Sequence, residues 1–403
     1  MDTLALTAVA AAVFLWGAGS ARLERADVTG PIVFVLLGAL LVGTGSVSGT
    51  VAPETVRPLV EIALVWVLFS DAARVRLADL RGDVGRCVRL LGLGLPLSVL
   101  AGWALAAWLL PGLGGWLALL VGAALAPTDA ALGVSVVTDP AVPARIRRLI
   151  TVESGLNDGI VTPVVFVALA GAASAEGLAH APGPAEALLE LVIGAGVGGA
   201  VGAVGGLLLR EARRRGWAAE ELAGMAVLGL AAASYGAALV LSGNAFVAAF
   251  CGGLTFGAAA GPRGPAELGF TEQAGALLGL LVWLTFGAVA VPVLVDRASW
   301  TTLLYAVLSL TVVRMVPVAV ALLGSGIGAR TVLFVGWFGP RGLASLVFAL
   351  ITLEELGPAA DEAVAVITAT VLLSVVAHGI TAAPLAARYG RSAVREGLVT
   401  HRG

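Results

Sequence analysis

Apolar runs long enough to cross a bilayer, each bounded by a short polar break, recur along the whole chain. A hydrocarbon core of ~30 Å takes about 20 residues of helix. On that scale thirteen spanning segments are predicted, at 3–19, 30–47, 58–73, 88–110, 113–137, 149–171, 186–209, 221–241, 243–260, 272–295, 300–324, 331–353 and 362–386. The expected fold is an all-α polytopic membrane protein, with residues 1–386 forming one transmembrane domain and 387–403 a short tail. No basic lead precedes the first segment, which argues against a signal peptide.

The placement of arginine tests that count. The connections 20–29, 74–87 with Arg89, 138–148, 210–220, 261–271 and 325–330, together with the tail, fall on one side and hold 20 of the 24 basic residues, all of them arginine. Arg57 and Arg297 fall on the other side, and Arg314 and Arg341 lie inside segments. Basic loops stay in the cytoplasm, so the N-terminus is expected outside and the C-terminus in the cytoplasm. Segments 1–6 then begin and end outside, segments 8–13 begin and end inside, and segment 7 links them. Two six-helix units of opposite orientation are the layout of an inverted-repeat carrier. Segment 7 carries Gly194, Gly198, Gly202 and Gly206 at a spacing of four, a surface for close helix packing within one chain or between two.

Composition removes other classes. Apolar residues make up 59% of the chain and charged ones 12%, too few charges to cover a water-soluble protein of this size. The two cysteines, Cys87 and Cys251, form no disulfide framework, and no Cys/His cluster suggests a resident metal or cofactor. A net charge of −2 gives no sign of a nucleic-acid partner.

Ionisable residues at bilayer depth mark function. Here they are Glu61, Asp71, Asp129, Glu153 and Asp158 against Arg314 and Arg341. Carboxylates in excess of their arginine partners must hold protons or bind cations, because an unpaired buried charge is too costly. Segment 6 reads Glu153-Ser154-Gly155-Leu156-Asn157-Asp158-Gly159. Residues four apart share a helix face, so Ser154 projects with Asp158 and Glu153 with Asn157. Asp158 falls near the membrane midplane, while Glu153 suits an ion pair or a ligand equally. Segment 5 is interrupted at Pro127-Thr128-Asp129, where proline breaks the helix. Segment 12 is interrupted at Gly339-Pro340-Arg341-Gly342. Matched interruptions in the two halves point to a midplane binding site, with freed carbonyls near Thr128 able to hold a cation and Arg341 able to balance helix ends or a carboxylate.

Pro127-Thr128-Asp129-Ala130, the Glu153–Gly159 stretch, Gly339-Pro340-Arg341-Gly342 and His378-Gly379 together resemble the monovalent cation/proton antiporter family 1, the sodium/proton exchangers, in its prokaryotic thirteen-helix members. The resemblance implies that Asp158 is the carboxylate carrying ion and proton, that Asp129, Ser154 and the Thr128 carbonyl help coordinate Na⁺ or Li⁺, and that Glu153 and Arg341 form a buried salt bridge. It implies that Asn157 holds the site together. Arg314 matches a basic position before the second break, without an assigned role. Asp71 aligns either with an acidic residue that reaches the site through water or with a polar residue at the cytoplasmic end; Glu61 is expected to be a funnel or surface charge. Electrogenic relatives carry two adjacent aspartates where this chain has Asn157-Asp158, so electroneutral exchange is implied. A homodimer in a prokaryotic cytoplasmic (inner) membrane, serving pH homeostasis and sodium transport, is implied as well.

Three other readings share these residues. A potassium/proton antiporter keeps the mechanism and changes the cation. A helical cation channel needs no inverted repeats. An intramembrane hydrolase would use Ser154 as nucleophile and His378 as base, and that pair must be in hydrogen-bond contact.

Overall fold

The computed structural model describes residues 3–24, 28–45, 53–75, 83–137, 139–178, 184–261 and 268–395. Arg25, Arg76, Arg81, Arg263 and Arg402, with His180 and His401, lie outside the described residues. The helices are α1 (Thr3–Glu24), α2 (Gly30–Gly43), α3 (Pro53–Arg74), α4 (Val84–Leu109), α5 (Gly114–Ala124), α6 (Ala144–Ala175), α7 (Pro184–Arg214), α8 (Glu220–Val240), α9 (Ala245–Ala259), α10 (Leu268–Arg297), α11 (Trp300–Ala321), α12 (Ala329–Trp337), α13 (Leu343–Leu356) and α14 (Asp361–Arg395). No strand occurs among the described residues. Eight helical stretches among them are long and apolar enough to cross a membrane, and three shorter apolar helices accompany them.

The predicted interruptions are real. α5 stops at Ala124, and after Asp129 only short helical turns, Ala130–Gly133 and Val134–Val137, follow. α12 stops at Trp337 and α13 starts at Leu343. Proline and glycine at 127, 339, 340 and 342 remove amide donors or relax the backbone where the helices part. At its other end the chain departs from expectation, since α14 continues past residue 386 to Arg395. Arg388 and Arg391 are good helix formers and favour the negative C-terminal end of the helix dipole, so nothing stops the helix at the predicted boundary.

The chain divides into two compact units. One comprises Met1–Arg57, Arg86–Ser154 and Leu280–Gly403; the other comprises Pro58–Gly85 and Gly155–Gly279. The division passes through α6, which contributes its first part to one unit and its remainder to the other.

In the second unit the glycine row of α7 finds its partner. A Cβ at Gly194, Gly198 or Gly202 would collide with the carbonyl oxygens of Asn244, Ala248 and Gly252, and one at Gly206 would lie 2.9 Å from the Ala259 methyl. The row is therefore filled within the chain by α9, whose own start is capped by Asn244 Oδ1 accepting from the Val247 amide at 3.0 Å. On another face of α9, Gly253 and Gly257 approach the carbonyls of Phe69 and Ala73 in α3. Dispersion and close backbone approach hold such helices together where water supplies no hydrophobic drive. Gly198→Ala is accordingly expected to cost about 1–3 kcal/mol by overpacking. Gly196→Ala, which meets open space, should cost nothing measurable; unfolding in detergent compares the two.

Candidate functional site

In the first unit the two broken helices are bonded to each other through their breaks. The Asp129 amide donates to the Pro340 carbonyl at 2.8 Å. The Leu343 amide, at the start of α13, donates to Asp129 Oδ2 at 3.3 Å. Ser345 Oγ donates to the Ala124 carbonyl at the end of α5, at 2.6 Å. A helix end leaves carbonyls and amides without intrahelical partners, and each break here supplies what the other lacks.

Arg341 does most of this work. It is fully buried; its Nη1 donates to the carbonyls of Ala126 at 2.7 Å and Pro127 at 3.0 Å. Its Nη2 reaches the Ser309 carbonyl at 3.4 Å, and its backbone amide donates to Ser374 Oγ on α14 at 2.8 Å. A guanidinium offers five donors in a fixed plane, which suits a cluster of carbonyls turned out of helical register by Pro127.

The expected Glu153–Arg341 salt bridge is not formed. Glu153 Oε1 instead accepts from Arg314 Nη1 at 2.6 Å, with the two side chains 5% and 3% exposed. The reason is competition: Arg341 is engaged by carbonyls, while Arg314 on α11 offers its guanidinium to the first part of α6. Nε and Nη2 of Arg314 make no hydrogen bond among the described residues. The basic position that the sequence left without a role is thus the one that neutralises Glu153.

Ser154 ties α6 to the first break. Its hydroxyl donates to the Thr128 carbonyl at 2.7 Å and accepts from the Ala130 amide at 2.6 Å. Thr128 and Ser154 are buried and Asp129 is half-buried. Ser154 is thus held against the Thr128–Ala130 stretch by hydrogen bonds within one unit. Asn157 and Asp158 follow Ser154 on the same continuous helix, buried in the second unit, with the Asp158 carbonyl accepting from Thr162 Oγ1 at 2.7 Å. Gly159 admits the Phe250 ring of α9, which any Cβ there would strike. Asp71, in the same unit, packs beside Gly155: a Cβ there would lie 3.7 Å from the Asp71 Cβ. That places it alongside the first turn of α6 after the division. Glu61 is not a bare surface charge, because Tyr235 donates its hydroxyl to Glu61 Oε2 at 2.6 Å.

His378 is buried on α14. Its Nδ1 lies 2.8 Å from the Ser374 carbonyl and its Nε2 2.8 Å from the Trp337 carbonyl, the last of α12. The Ser154 hydroxyl is directed at Thr128, so the nucleophile–base contact that a hydrolase needs does not exist. His378 terminates a helix instead.

Interrupted helices joined through their breaks, with an enclosed Glu153–Arg314 ion pair in the same unit, define the class: a multi-pass membrane protein with the antiporter fold. The fold is shared with the sodium proton antiporter MjNhaP1 from Methanocaldococcus jannaschii at pH 8, with a TM-score of 0.75 at 20% identity over 96% of this chain and 99% of that one. An electron-microscopy structure of the same antiporter gives 0.71 at 22% identity, covering 96% of this chain and 98% of that one. The chain belongs to the sodium/hydrogen exchanger transmembrane family, whose model matches residues 8–388.

Among curated relatives, the K(+)/H(+) antiporter NhaP of Alkalimonas amylolytica is 25% identical over 356 residues, 87% of this chain and 61% of the relative. The Na(+)/H(+) antiporter 2 of Zygosaccharomyces rouxii is 43% identical over 76 residues, 17% of this chain and 9% of the relative. The chain thus spans less than two thirds of the length of either.

Proposed function

We propose that this chain is an electroneutral sodium (lithium)/proton antiporter in which one cation and one proton compete for Asp158. The observation that carries the reading is the Ser154 hydroxyl fixed on the Thr128 carbonyl and the Ala130 amide. It arranges hard oxygen donors one helical turn before a buried carboxylate. The proposed cation ligands are Asp158, Asp129, Ser154 Oγ and the Thr128 carbonyl, all oxygens of the kind alkali ions prefer. Asp71 serves as a further acidic group, and Asn157 supports the site. Glu153 is paired with Arg314 and Arg341 is spent on carbonyls, so neither is proposed as a cation ligand.

Exchange follows from competition at one carboxylate. Asp158 crosses the membrane field carrying either a proton or a cation, with the same net charge in both states. High pH strips the proton and favours the cation; low pH does the reverse. Access to Asp158 alternates between the two sides, as in carriers built from inverted repeats. Thirteen crossings, an external N-terminus, a cytoplasmic C-terminus, a homodimer and a prokaryotic cytoplasmic membrane belong to this proposal, supported by the arginine distribution and the family. No cofactor is required; the cations are substrates.

Potassium is the second reading, favoured by the relative from Alkalimonas amylolytica, a K(+)/H(+) antiporter. Proteoliposomes with an acidic interior test both. Dissipation of the pH gradient by external Na⁺ and Li⁺, unchanged when voltage is clamped, supports the proposal; dissipation by K⁺ alone transfers it to potassium. A current that depends on membrane potential rejects electroneutrality.

Gly342 offers a finer test. It precedes α13 at the point where a Cβ would occupy the position of the Asp129 carboxylate. Gly342→Ala should displace Asp129 and weaken apparent cation affinity about tenfold, the equivalent of ~1.4 kcal/mol, in the same liposome assay.

A further inference from the structure

A groove of about 500 Å³ lies between the first part of the second broken helix and the end of the last helix, and none of the residues lining it belongs to the proposed exchange site. Its polar end is formed by Arg330, in the first turn of α12, and Arg388, near the end of α14; both are exposed. Its apolar length is formed by Leu333, Trp337, Met315 and Leu385. Arg330, Leu333 and Trp337 follow one face of α12 at helical spacing, a path of roughly 10 Å from charge to indole at ~1.5 Å per residue.

The wall behind that path is fixed. Phe334 stacks on Tyr389 with ring centroids 4.1 Å apart, and the Tyr389 and Thr331 hydroxyls are 2.9 Å apart. Trp337 Nε1 donates to Thr381 Oγ1 at 3.0 Å, and its indole stacks on His378. Leu333 nevertheless stands 58% exposed at the lip. A preformed groove with two guanidinium groups at one end and an apolar bed at the other matches an amphiphile with an anionic head.

The depth of the groove selects among amphiphiles. Arg330 opens a helix that ends at the interruption after Trp337; with that interruption near the membrane midplane, as the sequence predicts, the guanidinium groups fall toward the membrane rim and Trp337 deeper. That rim is on the arginine-rich side, where basic pockets between helices capture anionic lipid headgroups.

We propose that this groove binds an anionic glycerophospholipid of the arginine-rich leaflet, its phosphate held by Arg330 and Arg388 and an acyl chain lying along Leu333 and Trp337. The bound lipid braces α12 against α14 beside the second break. The inference stands apart from the transport reading, because binding is measured without ion flux.

Purified full-length protein in detergent is titrated with phosphatidylglycerol, with phosphatidylcholine of the same chains, and with inorganic phosphate, and lipid binding is followed by native mass spectrometry and thermal unfolding. Phosphatidylglycerol should bind and stabilise in preference to phosphatidylcholine. R330Q/R388Q should bind it on the order of ten- to thirtyfold more weakly, as expected for two lost interfacial charges. Leu333→Trp, which fills the bed and leaves both arginines, should lose the same binding, and it decides the matter alone if the double variant does not fold. Equal binding of the two lipids by the wild type, undiminished phosphatidylglycerol binding by a folded variant, or equal stabilisation by free phosphate would overturn the proposal.

Discussion

Asp158→Asn is expected to reduce cation-driven proton movement to the level of empty liposomes while leaving the purified protein folded. Asparagine keeps the shape of the side chain and one carbonyl oxygen as a hydrogen-bond acceptor, but it can neither release a proton nor neutralise a bound cation. Asp158 is buried on the long helix α6, one turn after the serine that fixes the first break. The measurement is the collapse of an imposed pH gradient by Na⁺, Li⁺ and K⁺ in turn, from pH 5 to 9, with protein incorporation checked by size-exclusion chromatography. Residual exchange at high cation concentration in a folded Asp158→Asn protein would move the exchanging group elsewhere, Asp129 being the next carboxylate to test.

The second large effect concerns stability. Arg314→Ala strands Glu153 as a buried charge, at an expected cost of about 3–5 kcal/mol. Replacing the pair together, as Glu153→Leu with Arg314→Met, removes both charges and should cost far less, because desolvation offsets most of the attraction in a buried pair. A double-mutant cycle separates the two arginines. Coupling of about 2–3 kcal/mol between positions 153 and 314, against less than about 1 kcal/mol between 153 and 341, is the expected result. The opposite ordering would restore Arg341 as the salt-bridge partner. Arg341→Ala should itself be damaging for another reason, since it leaves the Ala126 and Pro127 carbonyls without their donor.

These cases show what the amino-acid order makes legible. The all-helical class and both interruptions could be read from it because apolar run length, proline and glycine act locally. Ser154 and Asp158 could be placed on one helix face for the same reason. The partner of Glu153 could not, because two arginines lie at bilayer depth and choosing between them depends on which helix passes close by. Arg314 is separated from Glu153 by 161 positions, and no spacing rule spans that distance. The glycine row of α7 announced a close contact and not its owner; only the fold shows that α9 fills it. His378 carried a family motif and a chemical temptation, and its two carbonyl contacts are what reveal a structural task.

The carbonyl oxygens at the first break are satisfied by a cation the protein never releases, the guanidinium of Arg341. An arginine keeps its charge at every physiological pH, so the meeting of the two broken helices does not need the transported ion as a strut. A carrier built this way keeps the same framework when loaded, protonated or momentarily empty. Under the proposed exchange cycle, each half-cycle moves a finished scaffold instead of reassembling one, and the binding energy of the passenger is left free to choose between passengers.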